Sequence, residues 1–154
     1  MCIRDRFMIY IEQKLENTII SITLYKRYVD DILVIAESHE HIRNIVHEFN
    51  HVHPNTTATV ELENNDEIPF LDILIHRRTN RSIRRSVYRK STANNQCLNF
   101  LSFSPIQHKM SVVRSSYTRA YRMCTSDTLQ NDLSEIRKIL ESDGYPGSFI
   151  MKKR

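Results

Sequence analysis

The sequence has no tryptophan and only two glycines among its 154 residues. So little glycine excludes a Gly-rich loop that cradles phosphates and a Gly-rich low-complexity segment. No apolar run approaches the roughly 18 residues that a transmembrane helix needs, and the first residues lack the apolar core of a signal peptide. We therefore expect no membrane partner. The hydrophobic content of 40% supports a globular chain with its own core.

Cysteine is scarce and irregularly placed. The three cysteines are Cys2, Cys97 and Cys124, and no Cys-x-x-Cys pair occurs. An odd number at wide spacing fits neither a disulfide framework nor a zinc knuckle. This cysteine usage favours a reducing, intracellular setting.

Acidic residues are missing from a long part of the chain. Residues 73–126 contain 11 Lys/Arg and no Asp or Glu, whereas residues 1–72 contain 6 Lys/Arg and 13 Asp/Glu. Charge runs usually form solvated faces, but globular surfaces normally intersperse the two signs. A surface that carries only positive charge favours binding of a polyanion such as nucleic acid, because the counterions condensed on the polyanion are released when the protein binds. The basic part of the chain is therefore predicted to bind nucleic acid.

Two adjacent carboxylates, Asp30 and Asp31, follow Tyr28 and Val29 and precede an apolar run. The β-branched flanks predict two strands with the carboxylates at the bend between them. Neighbouring carboxylates repel each other, and bound divalent metal is the simplest way to keep both ionised. Mg²⁺ takes one or two carboxylates plus substrate phosphates, and a metal pair supports in-line phosphoryl transfer. The alternative is a hairpin whose turn happens to be Asp-Asp.

Further motifs follow the carboxylate pair in order. They are His53-Pro54, Glu61-Leu62-Glu63, Ile68-Pro69-Phe70-Leu71-Asp72, Val87-Tyr88-Arg89-Lys90-Ser91-Thr92 and Ser104-Pro105-Ile106-Gln107-His108-Lys109. Together with residues 26–35, this succession resembles the reverse transcriptases of Penelope-like retroelements, from the middle of the palm into the thumb. The resemblance covers roughly residues 7–150, and several ordered motifs are far more specific than one tetrapeptide.

The resemblance implies RNA-directed DNA synthesis by two-metal nucleotidyl transfer. Asp30 and Asp31 would be the catalytic ligands of two Mg²⁺ ions, and Tyr28 would abut the primer terminus or the incoming base. The partners would be an RNA template, a DNA primer and deoxynucleoside triphosphates, in the nucleus if the parent element is active. The fingers and the first palm aspartate would lie upstream of residue 1. We therefore expect the chain alone to bind metal weakly and to lack polymerase activity.

Cationic residues in the basic part are candidates for nucleic-acid contact. By resemblance, residues 87–90 correspond to the primer-grip hairpin, although a basic exposed edge strand is the alternative. Residues 106–124 have an apolar helical face, and the cations around it would contact phosphate. Asp72 is assigned a structural role. The predicted nucleic-acid-binding residues are Arg89, Lys90, Lys109, Arg114, Arg119 and Arg122.

The fold class predicted is α+β. Residues 1–90 would form part of a polymerase palm, an antiparallel sheet with packed helices that ends in the primer-grip-like hairpin. Residues 91–154 would form a small helical thumb. Alternation over residues 57–63 predicts a half-buried strand. Phe100, Leu101 and Phe103 are expected to supply a small core, and the chain after Tyr145 is expected to be a tail.

Other interpretations stay open. The predicted helices at 106–124 and 126–141, joined by a short turn, also resemble a helix-turn-helix, so a non-catalytic nucleic-acid-binding module is the runner-up. A degenerate remnant without function is a third interpretation. Residues 47–51 match the His-Glu-x-x-His zinc pattern, but a regular helix turns His47 and His51 away from its apolar stripe. Surface histidines are predicted there.

Overall fold

The computed structural model describes residues 3–90, 92 and 96–153, and of residues 3, 4, 152 and 153 it describes the backbone only. Helices pack with small antiparallel sheets, so the α+β class is confirmed. The chain divides into two compact units, Met1–Leu62 and Glu63–Arg154. No helix in the described ranges is long and apolar enough to cross a membrane.

The first unit is a hairpin packed with helices. The hairpin pairs Tyr28 with Asp31 at its closed end. Its third helix begins where the Ser38 side chain accepts a hydrogen bond from the backbone N–H of His41, because an N-cap oxygen satisfies a helix donor that has no partner in the helix. The elements are α1 (Ile3–Lys14), α2 (Glu16–Ile20), β1 (Leu24–Tyr28), β2 (Asp31–Ile35) and α3 (His39–His51). Their buried core is Ile11, Leu15, Ile22, Ile45 and Phe49.

The strand predicted over residues 57–63 is wrong. This stretch pairs with no strand among the described residues, and Val60 and Leu62 stay about half exposed. The Asn50 side chain occupies both backbone hydrogen-bonding groups of Ala58. Alternation alone therefore predicted an extended backbone but could not supply the neighbouring strand that a sheet needs.

The second unit is a three-stranded antiparallel sheet packed against two long helices, with a third, shorter helix packed on those two helices. Both long helices contact the last strand, β5, whose Val87 packs on the helical core. The elements are β3 (Glu67–Phe70), β4 (Ile73–Arg77), β5 (Ile83–Val87), α4 (Ile106–Met123), α5 (Ser126–Ser142) and α6 (Gly147–Lys153). The core is Val113, Tyr117, Ala120, Leu133, Ile136, Leu140, Tyr145 and Ile150. The boundary predicted between residues 90 and 91 falls inside this unit.

Two expectations for the helical region differ from the structure. Phe100 does pack on the core, in ring contact with Tyr145 and Phe149. The side chains of Leu101 and Phe103, in contrast, are almost fully exposed to solvent. The chain after Tyr145 is the helix α6 rather than a tail, and its Ile150 is only 1% exposed. The helical core is therefore completed by Ile150 and Phe149 of α6 rather than by Leu101 and Phe103.

Candidate nucleic-acid interface and carboxylate hairpin

Helix α4 has a polar outer face without a carboxylate. Its 18 residues contain no Asp or Glu. Val113, Tyr117 and Ala120 bury one side of the helix, which turns the opposite side to solvent because a helix repeats every 3.6 residues. We define the outer face of α4 as its exposed polar residues Gln107, His108, Ser111, Arg114, Ser115, Thr118, Tyr121 and Arg122.

Two of the six predicted cations lie on this face. Arg114 and Arg122 are exposed, and neither forms an ion pair with any described residue. They are eight residues apart, which is about 12 Å along a helix axis. Lys90 is also exposed and lies beyond the end of β5. These three cations have no acidic partner in the described part of the chain.

The other three predicted cations are engaged inside the second unit. Lys109 is buried, donates from Nζ to the backbone carbonyl of Ser102 at 2.9 Å and lies 5.2 Å from the centre of the Phe100 ring. Arg119 pairs with Asp72 at 2.7 Å. Arg89 pairs with a carboxylate of α5 at 2.8 Å.

The carboxylate that pairs with Arg89 belongs to Asp132 of α5, which is buried. It connects α5 to the end of β5 and to the turn between α4 and α5. It also accepts hydrogen bonds from the backbone N–H of Val87 at 3.3 Å and from the Cys124 thiol at 3.1 Å. Burial, together with the hydrogen bond to Asp132, raises the pKa of the Cys124 thiol to about 11. The Asp132 carboxylate therefore fixes the end of β5 on α5. The thiols of Cys97 and Cys124 are free, and Cys2 lies outside the described residues.

The turn between α5 and α6 fits a helix-turn-helix better than the turn between α4 and α5. Residues 124–125 alone join α4 to α5, whereas residues 143–146 join α5 to α6. A helix-turn-helix has a turn of three or four residues that often contains glycine, and Gly144 adopts φ +85° in the longer turn. Sequence reasoning missed this pair because it treated α6 as a tail. The signal was Gly144 followed by the apolar residues Phe149 and Ile150.

The carboxylate pair lies at the tip of the β1–β2 hairpin. Val29 has φ +57° there, a value that a β-branched residue rarely adopts. Arg27 stabilises the turn: its Nη1 donates to the Val29 carbonyl at 2.9 Å, and the guanidinium pairs with Asp5 and Glu12 of α1. The turn thus holds Asp30 and Asp31 exposed at the tip of the hairpin.

The donors at this tip fit a substrate-completed magnesium site. Among the described residues, no three His, Cys, Asp or Glu side chains are grouped to hold a metal ion. Mg²⁺ commonly binds one or two carboxylates and completes its coordination with water and substrate phosphates. Asp30 and Asp31 supply that minimum, with the exposed ring of Tyr28 beside them. As predicted, His47 and His51 are surface residues, and their rings stack at 4.0 Å.

Comparison with known proteins bears on the helical part of the chain. The family model of the animal helix-turn-helix domain matches residues 96–154, the range that contains α4, α5 and α6. Comparison with curated proteins and with solved structures found no significant match. The match supports the interpretation of this region as a helix-turn-helix module, a motif that binds nucleic acid.

Proposed function

We propose that residues 96–154 bind the backbone of a nucleic-acid duplex through the outer face of α4. The observation that carries the proposal is the composition of that face: guanidinium, hydroxyl and amide groups with no carboxylate over 18 residues. Such groups make most protein contacts to phosphate and sugar. The family match to a helix-turn-helix domain over residues 96–154 supports nucleic-acid binding by this region as a whole.

Arg114 and Arg122 are the principal phosphate contacts in this proposal. Arg89 and Arg119 already neutralise carboxylates inside the protein, whereas Arg114 and Arg122 have no ion-pair partner among the described residues. Their separation of about 12 Å lets them contact different phosphates. The hydroxyls of Ser111, Ser115 and Thr118 lie on the same face and add sequence-independent contacts.

Replacement of Arg114 and Arg122 together by alanine tests the proposal. Affinity for a duplex should fall roughly tenfold or more, because two phosphate contacts and their counterion release are lost. The slope of log K against log salt should also become shallower by about two. Fluorescence anisotropy with labelled DNA and RNA–DNA duplexes, repeated at several salt concentrations, measures both quantities.

The matched control removes the same charge from α5. Arg137 and Lys138 are exposed, but they pair with Glu141 and Glu135. Their double alanine variant should bind the duplex nearly as the original chain does. An equal loss of affinity in both double variants would mean that net charge alone drives binding, and it would contradict the assignment to α4.

The second candidate is two-metal nucleotidyl transfer at Asp30 and Asp31, as in the Penelope-like reverse transcriptases that the motifs resemble. The positive φ of Val29 favours it, because backbone strain persists mainly at functional sites. Two Mg²⁺ ions would supply activation of the attacking hydroxyl and charge neutralisation. At this hairpin Tyr28 would lie near the primer terminus or the incoming base. The two candidates use different residues, so neither excludes the other.

A further inference from the structure

A cavity of about 540 Å³ opens in the second unit among the strands, α4 and α5. Its apolar wall comes from Val87 of β5 and from Ile136, Ile139 and Leu140 of α5. The half-buried Tyr88 also lines it. Pockets for small organic ligands have volumes of about 300–1,000 Å³ and combine an apolar wall with a few polar groups. The cavity therefore has the volume and the apolar wall of a pocket for a small organic ligand.

Cations predominate over carboxylates around the cavity. Among the described residues that line it, Arg89, Lys90 and Arg119 carry positive charge and Asp72 carries the one carboxylate. Arg89 is already held by the buried Asp132. Lys90 is exposed and has no ion-pair partner among the described residues. The lining therefore retains positive charge that an anionic ligand would neutralise.

Arg119 has an unused hydrogen-bond donor. Its Nη2 pairs with Asp72 at 2.7 Å, but its Nε–H is buried and has no acceptor within the described residues. A buried donor without an acceptor is uncommon in folded proteins and calls for an explanation. An oxygen of a bound anion would satisfy it.

The rim of the cavity also carries backbone strain. Leu71 lines the cavity and adopts φ +54°, which is unusual for a residue with a bulky side chain. Next to it, the carbonyl of Asp72 accepts a hydrogen bond from the backbone N–H of Tyr88 at 2.8 Å. The strained turn and the segment that carries Tyr88 are thus tied together at the cavity.

We propose that this cavity binds one nucleotide unit, with its base against Tyr88 and the apolar wall and its phosphate between Lys90 and Arg119. The inference rests on the proposed nucleic-acid binding and adds a site that is separate from the outer face of α4. Aromatic stacking accepts any base, so the site would recognise a nucleotide without reading its sequence. The nucleotide would be either the unpaired end of a strand or a free mononucleotide.

The experiment compares a blunt duplex with the same duplex carrying one unpaired 3′ nucleotide, and it titrates adenosine monophosphate separately. The full chain should bind the overhang duplex roughly tenfold more tightly than the blunt one, the size of one base stacked on an aromatic ring. Preference for the overhang duplex would show that the bound nucleotide comes from the end of a strand. Binding of adenosine monophosphate, followed by nuclear magnetic resonance, identifies the free nucleotide.

Two variants assign the effect to the cavity. Ser116→Phe would fill it from α4, and Lys90→Ala removes an exposed cation with little risk to folding. Either should abolish the overhang preference and the mononucleotide binding, and Ser116→Phe should leave blunt-duplex affinity unchanged. Lys138→Ala, an equal charge change on α5 outside the cavity lining, should leave the preference intact.

The proposal is overturned if the full chain shows neither overhang preference nor mononucleotide binding, or if Lys90→Ala retains both. Failure of the proposed function gives a different result. In that case Arg114→Ala with Arg122→Ala leaves blunt-duplex affinity unchanged, and the mononucleotide titration alone decides whether the cavity is a nucleotide site.

Discussion

Backbone strain at the scale of single residues occurs in three turns. Asn65 and Asp66 have positive φ, but Asn and Asp adopt that conformation at little energetic cost. Val29, Leu71 and Arg81 also have positive φ, and none of these residue types favours it. Val29 lies at the carboxylate hairpin and Leu71 at the rim of the cavity, whereas Arg81 lies in the turn between β4 and β5. Two of the three strained positions therefore coincide with places where we propose ligand contact.

Asp30→Asn should weaken binding of a divalent cation to the chain, because it removes one of two adjacent carboxylate ligands. Titration with Mn²⁺ as a stand-in for Mg²⁺, followed by electron paramagnetic resonance, measures the free ion. The matched control is Asp66→Asn, since Asp66 is an exposed carboxylate at another hairpin that pairs with Arg77. Equal Mn²⁺ binding by the original chain and the Asp30 variant would contradict the metal site.

Side-chain partners separate cations that are alike in sequence. Lys109 and Arg114 both lie on α4 in the part of the chain without acidic residues. The first is buried under Phe100 and Ser102, while the second is exposed. Composition and helical spacing predicted both as phosphate contacts, and only the fold separates the two environments.

At the scale of elements, the α5–α6 turn depends on one glycine. Gly144 has φ +85° and follows the end of α5, where a left-handed residue commonly terminates a helix. A Cβ there would lie 3.7 Å from the Cβ of Phe100, which is ordinary van der Waals contact. The requirement for glycine is therefore conformational rather than steric crowding by neighbours.

Gly144→Ala should lower the free energy of unfolding of the second unit by about 1 kcal/mol, because a left-handed backbone disfavours a Cβ. Urea unfolding followed by circular dichroism measures it. Gly147→Ala is the control at the other glycine, which begins α6 without a positive φ and has space for a Cβ. It should be neutral or slightly stabilising. Equal destabilisation by both variants would contradict the role assigned to the turn.

At the scale of the whole molecule, the two units have separate cores. The cluster around Ile11 and Phe49 shares no residue with the cluster around Val113 and Leu140. The units divide between Leu62 and Glu63. Strand β5 lies with the helices, because Val87 packs on their core and Arg89 pairs with Asp132.

A chain that begins at Glu63 should fold without the first unit and retain duplex affinity, because its core and the outer face of α4 are intact. A shorter chain that begins at residue 91 lacks β5 and Arg89, the ion-pair partner of Asp132, and it should melt at a lower temperature. Circular dichroism melts and anisotropy titrations of both chains give the comparison. Equal melting temperatures would instead support a boundary between residues 90 and 91.

The sequence by itself determined the features that depend on local pattern. Helices predicted over 106–124 and 126–141 match α4 and α5 within one residue at each end, because apolar residues at helical spacing need only one buried side. The hairpin that bears Asp30 and Asp31 follows from the β-branched flanks of its turn. The basic region was also evident from composition alone.

Only the tertiary structure decided which groups meet. It left residues 57–63 without a neighbouring strand and made α6 part of the core. It also paired Arg119 with Asp72, far away in the chain, while leaving Arg114 exposed. Strand pairing, burial and ion pairing between distant segments depend on long-range contacts that periodicity does not encode. The proposed duplex interface and nucleotide cavity both depend on such contacts.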